Sequence, residues 1–132
     1  MKVICKYNDP DNLPDSISPD FDYGLELDKE YLVMGIMKNG KQLSYFMDEN
    51  GKPGFYPCEL FEVVDSRINA EWHFKSYSKD SEMYLYVQAV WGYSELCFDE
   101  SHYEQIVDRD QEALNIYFNR KARIENNFDN LE

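Results

Sequence analysis

An α+β fold is predicted for this chain of 132 residues: a small β-barrel over residues 1–65, then a β-hairpin and a long C-terminal helix over residues 66–132, the whole forming one structural unit. Three observations predict it. The first half is a series of closely spaced apolar runs separated by Asn-Gly turns. Between residues 71 and 93 two strand-like runs flank a polar turn. From Asp99 onward apolar residues recur at three- and four-residue steps with no Gly or Pro.

Taken in order, Met1–Tyr7 alternates apolar and polar, with Val3 and Cys5 on one side and Lys2 and Lys6 on the other, as a half-buried strand does. Asp9 to Asp28 carries seven acids, Pro10, Pro14, Pro19 and Gly24 and no base, and reads as an irregular acidic loop. The run EYLVMGIM then predicts one strand. Asn39 and Gly40, which tolerate positive φ, turn it into QLSYFM, and Asn50-Gly51 makes a second hairpin into FYPCELFEVVD. Pro57 interrupts that run before a single helical turn at Cys58–Phe61, and Glu62–Asp65 closes as a short strand. A first strand, a long loop, two hairpin connections and a turn before a last strand is the order of elements in an SH3-like barrel.

In the second half, EWHFKSY alternates, Ser78–Glu82 is a polar turn, and Met83–Tyr93 is strand-like throughout. Asp99 is placed to cap the following helix, with Phe98 and Tyr103 as an apolar staple and Ser101 with Glu104 as an overlapping capping box. Tyr103, Ile106, Val107, Asp110, Ala113, Leu114, Tyr117, Ala122 and Ile124 then predict a single amphipathic helix. Acids gather at its start and Arg120, Lys121 and Arg123 near its end, which suits the helix dipole.

Composition narrows the function classes. Twenty-six acids against thirteen bases give a formal charge of −13, while 43% hydrophobic and 16% aromatic content supports folding. Such a charge repels phosphate backbones and anionic lipid, so nucleic acid and membrane are not expected partners and a basic protein or peptide is. No run approaches the ~18 apolar residues of a membrane span, and the N-terminus lacks the apolar core of a secretion signal, so a cytoplasmic protein is expected. Cys5, Cys58 and Cys97 are odd in number and widely spaced, which suggests buried free thiols.

No nucleotide-binding, hydrolase-elbow or HExxH pattern is present. The runs Asp9–Asn12 and Asp20–Gly24 are fragments of a calcium loop without its remaining ligands, and no metal or cofactor is expected. His73, flanked by Trp72 and Phe74, falls on the opposite strand face and reads as exposed. Cys97 and His102, five residues apart near a helix start, offer the one thiol and imidazole combination for catalysis. Cys97 alternates with Glu95 and Asp99 as a buried strand residue does, so a core thiol is the preferred reading.

The stretches ELDKEYLVMGI, LSYFMDENGKPGFYPCELFEVVD, INAEWHF and AVWGYSELCFDESHYEQIVDRDQEAL resemble a group of small, mostly uncharacterised bacterial proteins. That resemblance covers most of the chain. It implies an SH3-type barrel with an appended ribbon and helix and, since some acidic proteins of this size are immunity proteins for secreted toxins, a toxin-neutralising role. The expected function is therefore a non-enzymatic acidic binding module. A structural or regulatory homo-oligomer is the alternative, and a small hydrolase using Cys97 and His102 stands behind both. The expected partner-binding residues are Asp9, Asp11, Asp15, Asp20, Asp22 and Tyr23 of the acidic loop, with Tyr56, Trp72 and Trp91 as aromatic contacts. Tyr7, Tyr56 and Pro57 are the nearest counterparts of an SH3 peptide groove.

Overall fold

A computed structural model describes residues 1–8 and 24–130. Among the described residues eight strands form two antiparallel sheets. The smaller contains β1 (Lys2–Cys5), β2 (Glu30–Leu32) and β6 (Phe61–Asp65) in the order β2-β1-β6. The larger contains β3 (Gly35–Asn39), β4 (Gln42–Glu49), β5 (Lys52–Pro57), β7 (His73–Ser76) and β8 (Ala89–Gly92) in the order β5-β4-β3-β8-β7. Among the described residues no ladder joins the two sheets, so the strands form an α+β arrangement of two sheets without a closed barrel.

The run EYLVMGIM, expected as one strand, bends between the sheets. At the bend the Val33 amide donates to the Met1 carbonyl (2.9 Å) and the Met34 amide to the Phe46 carbonyl (2.7 Å), so β2 pairs in one sheet and β3 in the other. Val33 and Met34 are both fully buried, and they enter different apolar clusters. A strand that switches sheets at a bend is the usual way to turn such a corner.

The second hairpin turns on Asn50 and Gly51, with φ of 52° and 75°, as a primed turn requires. The first is displaced by one residue from expectation. Asn39 stays in β3 opposite Gln42, and the loop is Gly40-Lys41 with Gly40 at φ 61°. A glycine at the first loop position suffices for this turn type, so Asn39 is not needed there.

The expected β7–β8 pairing is present, and β8 also pairs with β3, which makes the hairpin an extension of the larger sheet. Met83–Tyr93 is not strand throughout. Glu82–Leu85 coil into a 3-10 turn whose start is held by Ser81 Oγ accepting from the Met83 amide (3.2 Å), and the strand begins only at Ala89.

In place of one helix from Asp99 there are two, α2 (His102–Val107) and α3 (Gln111–Asn130), and a further short helix, α1 (Ser94–Phe98), precedes Asp99. Asp99 closes α1 through its amide, and its carboxylate accepts from the Ser101 amide and hydroxyl. The hydroxyl is thereby drawn away from the capping box. The expected staple is also replaced: Phe98 packs on the His73 ring at 5.3 Å, and Tyr103 on Phe55 at 5.1 Å. The second break lies at Arg109, whose φ is 60°, and Asp110 then caps α3 by accepting from the Ala113 amide (3.1 Å). Aspartates can bond nearby amides and so stop a helix without glycine or proline.

The long strand β4 serves both cores. Phe46 joins Met34, Val90, Leu96, Ile106 and Tyr117 beneath the helices, while Met47 joins Val3, Cys5, Tyr31, Val33 and Leu60 between the sheets. Gly35 and Gly92 stand directly opposite each other and leave a notch for Leu96 of α1. A Cβ at Gly35 would lie 2.4 Å from Leu96 Cδ2 and 2.8 Å from the Trp91 carbonyl. This notch seats the helical layer close to the sheet. Among the described residues no helix is long and apolar enough to cross a membrane.

Candidate protein-docking groove

On the helix side of the larger sheet lies an open groove of about 600 Å³. Its floor is the directly paired Met37 and Val90. One wall is Tyr77 with the Met83, Tyr86 and Val87 turn; the other is the α1–α2 segment with Leu96, Asp99, Glu100, Tyr103 and Glu104; Phe55 also lines the groove. The walls follow from local structure. The 3-10 turn that delays β8 lifts Met83 and Tyr86 over the sheet, and the Asp99 break turns Tyr103 back onto Phe46 and Phe55. Leu85 and Tyr86 are 81% and 67% exposed, so the turn presents apolar surface to solvent.

The rim is negatively charged on one side. Asp99 is held ionised, its carboxyl lowered by the Ser101 hydroxyl and amide. Glu100 and Glu104 are exposed and make no ion pair among the described residues. From Asp99 to Glu112 six acids stand against Arg109 alone. Across the groove, burial and the Glu100 charge raise the Tyr77 hydroxyl pKa, and the Lys75 ammonium lies over the Tyr77 ring, 5.6 Å from its centroid. The arrangement offers apolar burial beside unneutralised negative charge. That suits non-covalent capture of a cationic, apolar group.

A second concavity, of about 380 Å³, is lined by Lys2, Lys29, Tyr31, Asp48 and Lys121 among others. Two of the carboxylates that line it are engaged, Glu30 by Lys2 at 3.8 Å and Asp48 by Lys121, and Glu49 stands next to Asp48 on β4. Glu49, 6% exposed, receives a hydrogen bond from the Tyr31 hydroxyl and pairs with Lys29 at 3.2 Å. Asp48 accepts from the Tyr117 hydroxyl and from Lys121, each at 2.8 Å. Burial, reinforced by the bonded carboxylate, raises both tyrosine pKa values well above the ordinary value. Adjacent acids on β4 thus point to opposite faces, Glu49 toward the smaller sheet and Asp48 toward α3, and tie the layers together.

The residues expected to bind a partner are distributed differently. Asp9, Asp11, Asp15, Asp20, Asp22 and Tyr23 lie outside the described residues. Tyr56, Trp72 and Trp91 are half-buried, and none lines the groove. Tyr56, Tyr45, Ile36, Trp91 and Phe74 form one directly opposed row across all five strands, on the face turned away from the helices. Trp91 stacks on Phe74 at 4.8 Å, and Trp72 packs against the inter-sheet core with its indole nitrogen buried and without a hydrogen-bond partner among the described residues. The groove residues Tyr77, Met83, Tyr86, Tyr103, Glu100 and Glu104 were not singled out as binding residues from the sequence. Their signal was a surplus of tyrosine between residues 77 and 103.

Cys97 lies buried in α1, not in a strand, with its sulfur facing the His73, Val90 and Gly92 carbonyls at 3.5–3.8 Å. Burial pushes its thiol up to about 11, opposite to the shift an attacking thiolate needs. His102 is fully buried; burial lowers its pKa, its Nε2 is 2.7 Å from the Tyr93 hydroxyl, and its Nδ1 has no partner among the described residues. His73 is exposed. No family model matches the chain, and no match emerges among curated proteins or solved structures.

Proposed function

We propose that this chain is a non-enzymatic cytoplasmic binding module that captures a basic protein or peptide, and that it acts by covering its partner, as an immunity protein covers a basic toxin. The observation that carries this reading is the apolar groove whose rim acids Glu100 and Glu104 make no ion pair among the described residues. Charge of that kind steers a cationic partner and orients it, and the groove then supplies short-range burial. The free thiols at Cys5, Cys58 and Cys97 suit a reducing compartment. The finer fold reading belongs to the same proposal: the first half, residues 1–65, follows an SH3-like barrel order whose described strands stay open as two sheets, in support of which β6 follows a single turn at Cys58–Leu60 and returns beside β1.

The test is NMR titration with a lysine-rich peptide, its acidic counterpart and a neutral one, at low and high salt. The expected result is binding of the basic peptide alone, weakened by salt, with the largest amide shifts at Glu100, Tyr103 and Glu104. Equal binding of basic and acidic peptides, or shifts confined to another face, overturns the reading.

A further inference from the structure

The groove restricts its occupant by more than charge. Resting on the binding reading above, we infer that it takes one large apolar side chain of a partner segment, flanked by lysine or arginine on the side facing Asp99, Glu100 and Glu104. Charge recognition alone needs no cavity, yet the rim borders a space of about 600 Å³ floored by Met37 and Val90. An aromatic side chain brings about 150–250 Å² of surface to bury, and pockets that bury whole small-molecule ligands run from about 300 to 1,000 Å³, so the groove has room for one. Met37 and Met83 line the space, and unbranched thioether side chains adapt to anchors of different shape.

The asymmetry of the walls sets the polarity of the partner. The acids lie on the α1–α2 wall, whereas the opposite wall presents the Tyr86 ring. A cation beside the anchor therefore meets carboxylates on one side and an aromatic face on the other. Lys75 over the Tyr77 ring shows the same kind of contact within the chain. A second copy of this chain is disfavoured as occupant because each copy carries a formal charge of −13. A purely apolar occupant would leave the carboxylates of the α1–α2 wall without neutralisation.

The probes are three helical lysine-rich peptides differing at one central position, tryptophan, leucine or alanine, measured by calorimetry and by methionine-methyl NMR. The tryptophan and leucine peptides are expected to bind at least about tenfold tighter than the alanine peptide, with the Met37 and Met83 methyls shifting. Met83→Ala should narrow that preference by weakening the tryptophan and leucine peptides more than the alanine peptide, and Tyr86→Ala, which also removes the ring beside the cation, should weaken all three; a urea midpoint verifies the folding of both variants. Equal binding of the three peptides overturns the inference and leaves the basic-partner reading standing. Binding of none overturns both. A concentration-dependent mass that Tyr86→Ala abolishes would make a second copy the occupant and overturn the inference.

Discussion

Two groups of acidic side chains in this molecule have opposite surroundings. On β4, beside the cleft between the smaller sheet and α3, Glu49 and Asp48 are each met by a tyrosine hydroxyl and a lysine, and Glu49 is nearly inaccessible. At the groove, Glu100 and Glu104 are in water, beside apolar surface. A buried carboxylate is tolerated only where partners offset its desolvation, so the first pair is committed to holding layers together. A solvated one costs little to fold and retains its field for a partner. The net charge of −13 therefore says less about where binding occurs than the pairing of each carboxylate does.

The sharpest way to break the comparison is at Glu49. Glu49→Ala removes the acceptor of Tyr31 and the partner of Lys29, and leaves a buried hydroxyl without its acceptor. A loss of about 2–3 kcal/mol is expected, since Lys29 regains water while Tyr31 does not. Urea unfolding measures it; a change below about 0.5 kcal/mol would mean that the network does not hold the sheets together. Tyr117→Phe deletes the hydroxyl that reaches Asp48 but leaves Lys121 in place, so the expected loss is about 1 kcal/mol, read from the same unfolding curves. Equal losses in the two variants would show that the two acids are not distinguished by burial.

A third handle is pH. His102 is neutral when folded, its pKa lowered by burial, while Asp99 and Glu95 act against that shift and Tyr93 occupies Nε2. The unfolded chain takes up the proton more readily. Stability is thus complete above the ordinary histidine value and declines as pH falls below it toward the depressed folded value. Titrating stability between neutral and mildly acid pH should show this decline. His102→Gln should flatten it; an unchanged slope would assign the dependence to other groups.

What was legible in the sequence was local chemistry. Asn50-Gly51 announced its turn because positive φ is cheap there, and Cys58–Leu60 announced the turn before β6 through Pro57. Asn39-Gly40 misplaced a turn by one residue because a single glycine already satisfies it. The long helix was misread because Arg109 takes a left-handed conformation between two aspartates, a break made by side-chain capping that apolar periodicity does not register. The groove was illegible for a different reason. It exists because β8 pairs with β3, bringing Met37 opposite Val90, and nothing in either segment's alternation specifies which edge the other takes. The surplus of aromatics was visible in the composition, but the division between the Tyr56–Trp91 row and the groove is a property of register.

The smallest expected effect on stability falls at the groove, and there it is most informative. Glu100→Gln with Glu104→Gln removes two charges that make no ion pair among the described residues and keeps side chains of the same shape, so unfolding should move by no more than about 0.5 kcal/mol. Relief of repulsion along a segment with six acids and one base gives that small change a stabilising sign. Association with a lysine-rich peptide should instead slow markedly at low salt and lose most of its salt dependence, as stopped-flow fluorescence would record. The paired acids supply the control: Glu49→Gln should weaken the fold and leave the association rate untouched. If the double variant associates as fast as the parent, the rim does not steer the partner, and solvated charge beside apolar surface is no guide to the binding face in this molecule.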